Sequence, residues 1–259
     1  MSLAEDLLVS VEEIHRATSL VAKRVEAGPR FFGIAAGSPA QDQLTTAGVA
    51  FLGARQRESE DAGALRAAEC RGQTLGSVAH WLRVGDSRER TALGAAALNS
   101  LLTLQLRRDG TALGEENGLE LLAKESEGKR LAVVGRFPHL DEMRAQTARS
   151  WVLELEPKEG ESGPPDAPAI LAEADVIGIT GSTLANGTLE GLLKHCRRDA
   201  FVVLIGPTTP LSPVLFDYGV NALCGVLAED PDQVLDSIVN DGSTRRIPGT
   251  RAVSLRRPS

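Results

Sequence analysis

The stretch Ala174-Asp-Val-Ile-Gly-Ile-Thr-Gly-Ser-Thr-Leu-Ala-Asn-Gly-Thr188 decides how this chain is to be read. A strand is expected over 175–179, which from Val176 onward is apolar without alternation, the pattern of a strand covered on both faces. It empties into a loop of hydroxyl, glycine and amide residues, and a helix is expected beyond it over 187–196. Two further segments repeat the plan. Leu131-Ala-Val-Val-Gly135 runs into Arg136-Phe-Pro-His139, and Phe201-Val-Val-Leu-Ile-Gly206 runs into Pro207-Thr-Thr-Pro210. Working outward, strand-like and helix-like segments alternate over 131–135, 138–148, 150–155, 175–179, 187–196, 200–205, 212–218, 221–227 and 230–240. Such alternation indicates βαβ crossovers and a doubly wound parallel sheet. Ligands of open α/β sheets bind outside the carboxyl ends of the strands, so the three polar loops delimit one expected site.

The preceding half reads differently. Residues 4–26 carry apolar side chains at helical spacing (Leu7, Leu8, Val11, Ile14, Val21, Val25) and predict one amphipathic helix stopped by Gly28-Pro29. Strand-like runs follow at Arg30–Ala36 and Leu44–Leu52, joined by a turn-rich segment. A polar, Arg- and Glu-rich stretch covers Ala54–Arg71, and Thr74–Arg83 predicts a short helix. Asp86 or Ser87 offers an N-cap for a long Ala/Leu helix to about Arg107. Its run Leu93-Gly-Ala-Ala-Ala-Leu-Asn99 permits close approach of another backbone and would suit a homodimer. The charged stretch Ala123–Arg130 marks a boundary, giving expected domains at 1–126 and 127–259.

Composition excludes several classes. The chain of 259 residues is 42% hydrophobic, enough for an ordinary core, which must be aliphatic because only six Phe, two Trp and one Tyr are present. A net charge of −7 argues against non-specific nucleic-acid binding, which needs a cationic surface. No segment approaches the roughly 20 apolar residues of a membrane span, and the acidic N-terminus lacks the basic region of a signal peptide. Cys70, Cys196 and Cys224 are few and widely spaced, which argues against a disulfide framework. A reduced, cytoplasmic protein is the expectation.

The loops suggest the chemistry. Thr180, Ser182, Thr183, Asn186 and Thr188 can present hydroxyls, an amide and free backbone N–H groups near a helix start, a combination that suits an anion. Micromolar binding needs about 8 kcal/mol, whereas one charge-assisted hydrogen bond gives about 1.5–3 kcal/mol, so several loops must converge. The alternative, that these residues only cap a helix and shape a turn, carries equal weight. Thr208 and Thr209 sit in a loop stiffened by prolines, and Ser212 is a candidate cap for the next helix. Arg136 is a candidate anion clamp and His139 a candidate general acid/base or metal ligand, with Pro138 expected at the first position of the following helix. Glu154 and Glu156 end a strand where a ribose-binding acid would sit, but Gly-x-Gly-x-x-Gly is absent. Histidines 15, 80, 139 and 195 are scattered, no Cys-x-x-Cys or Gly-x-Ser-x-Gly occurs, and Cys224 reads as a small buried hydrophobe.

Taken together, Val134-Gly-Arg-Phe-Pro-His139, Leu153-Glu-Leu-Glu-Pro157, Ala174–Thr188, Gly206-Pro-Thr-Thr-Pro210 and Gly219-Val-Asn-Ala-Leu-Cys-Gly225 resemble the putative heavy-metal chelation domain family, formerly uncharacterised domain family 364. Phe32-Gly-Ile-Ala, Ala47-Gly-Val-Ala and Leu93–Asn99 resemble its usual N-terminal companion. The resemblance implies a C-terminal Rossmann-like domain, an N-terminal α+β domain similar to the small capping domain of enolases, and a ligand cleft between them. Asn99 then becomes a candidate from the opposite wall, against the commoner role of a buried Asn bonded to backbone. The implied function is binding or handling of a metal ion or small anionic metal complex by Arg136, His139, Thr180, Ser182, Thr183, Asn186, Thr208 and Thr209. With few soft ligands present, an already chelated metal or hard oxygen coordination fits best. The alternative is an enzyme acting on a nucleotide-like or phosphorylated small molecule, with Glu154 or Glu156 on a sugar and His139 as acid/base.

Overall fold

The computed structural model describes residues 2–51, 66–84, 86–240 and 246–258. Among them, β1 (Val21–Ala27), β2 (Phe31–Gly37) and β3 (Thr46–Phe51) form an antiparallel sheet in the order β1-β2-β3. Six more strands, β4 (Arg130–Val134), β5 (Arg149–Leu153), β6 (Val176–Thr180), β7 (Phe201–Ile205), β8 (Ala222–Ala228) and β9 (Thr250–Arg256), form a second sheet in the order β5-β4-β6-β7-β8-β9. Strands β4 to β8 are mutually parallel and β9 closes the edge antiparallel to β8. The parallel part has the 2-1-3-4-5 order of doubly wound sheets, with its topological switch between β4 and β6.

Both faces of this sheet are covered, as the unbroken apolar strands require. Leu131, Val133, Val176, Val203 and Ile205 point into one layer with Leu121, Leu122 and Met143. The helix Gly118–Ser126 lies close on that face, where a Cβ on Gly178 would come 2.5 Å from the Leu122 side chain. The neighbouring residues Ala132, Ile177, Ile179, Val202 and Leu204 point the other way, into a core shared with Leu171, Leu193 and Leu215 and with much of the N-terminal half. Hence one apolar cluster runs beneath both sheets. Polar ties reinforce it: the Leu3 amide donates to Glu190 Oε2 at 3.1 Å, and the Tyr218 hydroxyl to Asp6 Oδ2 at 2.6 Å.

The single helix expected over 4–26 is two helices, Leu3–Ser10 and Glu12–Thr18, followed by β1. Ser19 ends the second helix in the left-handed region at φ +47°. A register shift between Ala22 and Arg24 then puts the buried residues Ala22 and Val25 three apart in a strand. That bulge imitates helical spacing, which is why the pattern misleads. The helix expected over 138–148 is confined to Leu140–Arg144, and the one over 187–196 to Leu189–Leu193. Strand β9 and the helices Ala167–Glu173 and Gly118–Ser126 are additional to the expected alternation. Of the stretch Ala54–Arg71, residues 54–65 lie outside the described residues.

The long helix Arg88–Asp109 starts at its Ser87 N-cap and ends at Gly110 in the left-handed region, φ +60°. Its small-residue run is buried inside the chain rather than offered to a second copy. A Cβ on Gly94 would meet the Leu82 amide nitrogen at 2.5 Å, and one on Gly48 of β3 would meet the Ala96 carbonyl oxygen at 2.1 Å. Strand and helix backbones therefore touch at Gly48. Gly48→Ala must push them apart, and overpacking of this kind costs about 1–3 kcal/mol or more. The urea midpoint should fall accordingly. An unchanged midpoint would show that β3 does not pack on the helix in this way.

Candidate functional site

The three loops singled out in the sequence leave one edge of the sheet. The first residue past each strand still bonds to the neighbouring strand: Gly135 N–H to Leu153 O at 3.0 Å, Gly181 N–H to Ile205 O at 2.9 Å, and Gly206 N–H to Cys224 O at 2.9 Å. Gly135 and Gly206 then turn at φ +103° and +115°, conformations that side chains disfavour. Gly181 is there for a different reason. A Cβ on it would lie 2.4 Å from the Thr209 nitrogen and 2.7 Å from Thr209 Oγ1, so the loops after β6 and β7 meet backbone to backbone.

In the loop after β6 the polar side chains bond largely to one another. Thr180 Oγ1 and Ser182 Oγ are 3.1 Å apart, and buried Thr183 donates to Thr180 O at 2.7 Å. Asn186 Oδ1 accepts from Thr188 N–H at 3.1 Å and from its hydroxyl at 2.7 Å. These bonds shape the turn, but neither the helix Ser182–Ala185 nor the helix Leu189–Leu193 has a side-chain cap, so the capping half of that alternative is not met. Thr180, Ser182 and Asn186 are nonetheless half-buried and keep hydrogen-bonding capacity. The short helix Ser182–Ala185 seats this loop against the long helix and β3.

The loop after β7 is buried almost completely, with Thr208 1%, Thr209 2% and Ser212 1% exposed. Thr208 Oγ1 accepts the Phe51 amide at 2.8 Å. The Asn99 amide nitrogen donates to Thr208 O at 3.2 Å and to Val49 O at 3.1 Å, so Asn99 does bond to backbone, and to both halves of the chain at once. Three buried oxygens on these adjoining segments, Asn99 Oδ1, Thr209 Oγ1 and Ser212 Oγ, have no hydrogen-bond partner. Such a group costs about 1–3 kcal/mol when left unmade. A cavity of about 10 Å³, the size of one water, lies beside Asn99 and is lined by Gly48, Val49, Thr103, Pro207 and Val226 among others.

The loop after β4 is arranged differently. Arg136 makes a two-pronged pair with Glu161, Nε to Oε1 at 2.8 Å and Nη2 to Oε2 at 2.5 Å, donates to Glu156 O at 3.0 Å, and has Glu154 at 3.9 Å. Its guanidinium is thus engaged inside the chain. Glu161 gave no signal in the sequence, because it lies in a Pro/Gly/Glu-rich loop far along the chain. The guanidinium holds the Glu161 carboxyl down at about 2. Glu154, Glu156 and Glu161 around Arg136, with Lys158 beside Glu161, leave the end of β5 net acidic. His139 is three-quarters exposed, pairs with Glu142 at 3.2 Å, and stands at φ +59° as the residue before the helix. Pro138 therefore precedes the helix by two residues instead of opening it.

Soft ligation is poorly provided for. Burial pushes the Cys70 and Cys196 thiols up to about 12 and Cys224 to about 11, which keeps all three protonated at neutral pH. Among the described residues no three His, Cys, Asp or Glu side chains gather as a metal site. His15 packs its ring over Gly76, where burial lowers its pKa. No described helix is long and apolar enough to cross a membrane.

This geometry defines a doubly wound α/β protein with polar loops gathered at the carboxyl edge of its parallel sheet. Residues 117–256 match the model of the DUF364 family, described as "Putative heavy-metal chelation", and the chain belongs to that family. A solved protein of unknown function from this family, from Desulfitobacterium hafniense, superposes with a TM-score of 0.77 at 22% identity over 98% of this chain and 99% of that one. A second, from Pyrococcus horikoshii, gives 0.76 at 20% identity over 98% and 100%. An uncharacterised protein of Methanocaldococcus jannaschii is 27% identical over 156 residues, which span 58% of this chain and 59% of that protein.

The Arg136–Glu161 pair makes a prediction for acid. Because Glu161 is depressed in the folded chain, its contribution is complete above the ordinary carboxylate range near 4.5 and fades as pH falls toward about 2. Glu161→Gln should flatten that part of the stability profile, read from urea midpoints between pH 2 and 6. Equal slopes in the two proteins would show that the pair does not persist in solution.

Proposed function

We propose that this protein binds and handles a metal that is already complexed, or a hard oxygen-seeking cation, at the carboxyl edge of its six-stranded sheet. The site lies in the cleft between residues 1–126, taken as a capping unit of the enolase N-terminal kind, and residues 127–259. The observation that supports this reading is that three buried oxygens, Asn99 Oδ1, Thr209 Oγ1 and Ser212 Oγ, lack a hydrogen-bond partner on the segments that pack around the β7 loop, which meets the hydroxyl loop of Thr180 and Ser182 where Thr209 touches Gly181. Oxygen and amide donors of this kind suit hard cations or the periphery of a chelate. Among the described residues the cysteines do not gather with other His, Cys, Asp or Glu side chains, so they offer a bare soft ion no preassembled thiolate site. The acidic end of β5 favours a cationic ligand over a free phosphate. Thr180, Ser182 and Asn186 are proposed to touch the ligand, with Thr183, Thr208 and Thr209 shaping the loops. Arg136, Glu154 and His139 would set the charge at the rim.

Native mass spectrometry with elemental analysis, on protein purified without chelators or a metal-binding tag, tests the reading. A stoichiometric metal or metal complex is expected. A metal-free protein carrying a nucleotide or phosphorylated mass would overturn it in favour of an enzyme. Ser182→Ala should reduce the copurifying ligand at least tenfold with little change in melting temperature, because Ser182 Oγ has only Thr180 Oγ1 beside it. Replacing all three cysteines by serine should leave the ligand in place in whatever protein folds. Its loss from a folded triple variant would put the thiols back in the site.

A further inference from the structure

We infer that Asn99 and Thr208 are positioning residues: together they clasp the loop after β7 to the N-terminal sheet and, through Thr209 and Gly181, set the loop after β6. The inference rests on the reading of these loops as the ligand site, but its physical content is independent of any ligand. Asn99 Nδ2 divides its two hydrogens between Val49 O of β3 at 3.1 Å and Thr208 O at 3.2 Å. Thr208 answers by accepting the Phe51 amide of β3 through Oγ1 at 2.8 Å. The pair closes a loop of three hydrogen bonds joining strand β3, the long helix and the β7 loop. All are drawn from groups at least nine-tenths buried except the half-buried Phe51. Water competes poorly for bonds so enclosed, and the three hold or fail together.

The next residue transmits the position. Thr209 N and Oγ1 stand so close to Gly181 that no side chain fits between them. Gly181 is followed at once by Ser182, whose amide and hydroxyl both face Thr180 Oγ1. A shift of the β7 loop must therefore move the start of the β6 loop. Asn99 itself is not locked on every side: its Oδ1 is unpartnered and it lines the small cavity next to Pro207. The N-terminal half thereby controls the spacing of two loops that both belong to the other half.

Amide hydrogen exchange on the full chain, without added ligand, tests this. Thr208→Val keeps the shape of the side chain and removes the acceptor of the Phe51 amide. Loss of one such bond is expected to raise exchange roughly three- to tenfold in segments 46–51 and 206–212. If the clasp positions the site, exchange rises in 181–186 as well. The opposite sheet edge around Arg130 and Asp175 should stay unchanged, and Thr208→Ser, which keeps the hydroxyl, should restore the wild-type pattern. A rise confined to 46–51 and 206–212 overturns the relay to the β6 loop. A uniform rise that includes the far edge, or no rise at all, overturns the clasp as a local device. None of these results depends on what ligand, if any, the protein carries.

Discussion

One carboxamide is shared between the two halves of the chain, and the arrangement of the carboxyl edge depends on it. Asn99 sits on a helix built of alanine, glycine and leucine, where a polar side chain needs compensation for its burial. It finds it in the carbonyls of Val49 in β3 and Thr208 in the loop after β7, one from each half of the chain. That is possible only because the backbones beneath it touch. Gly48 lets β3 lie on the helix at Ala96, and Gly181 lets the β6 loop lie on Thr208 and Thr209. Two glycines and one asparagine thus fix distances that the apolar core, being non-directional, leaves free.

Electrostatics then distinguishes the two ends of the sheet. At the amino end Asp175 accepts both prongs and the backbone amide of Arg130 and a fourth bond from Arg197, which also pairs with Asp199, a charge-balanced cluster that drives the Asp175 carboxyl well below the ordinary range. At the carboxyl end of β5 acids outnumber bases, with Glu154, Glu156 and Glu161 around Arg136 and Lys158 beside Glu161. Along the edge from there Thr180 of the β6 segment packs against Gly135 after β4, and the β7 loop follows beyond it, touching Gly181 through Thr209. Of the cysteines, Cys70 and Cys224 are buried and Cys196 partly so, and burial raises all three thiols.

The parallel sheet was legible in the sequence because Leu131–Val134, Val176–Ile179 and Phe201–Ile205 are apolar on both faces and each ends in a glycine-led polar loop. The edge strand β9 was not, because its outer residues are Arg251, Arg256 and Ala252, too polar to register as a buried run. The N-terminal strand β1 was mistaken for helix because its bulge puts Ala22 and Val25 at helical spacing. Among the candidate residues, the hydroxyl loops could be named from residue type, and Asn99 only through the resemblance to the family. What residue type could not supply was the division of labour: Thr183 and Thr208 satisfy backbone groups, and Arg136 is engaged by a glutamate 25 residues away. Those roles follow from burial and long-range contacts, which leave no periodic trace.

The central claim, a ligand edge built from the β6 and β7 loops, is tested most directly by anomalous diffraction from crystals of the protein isolated without chelators. The account predicts a bound metal-containing group beside Thr180 and Ser182, within reach of the β7 loop. A metal seated instead on Cys70, Cys196, Cys224 or the exposed His139, with the sheet edge bare, would contradict it.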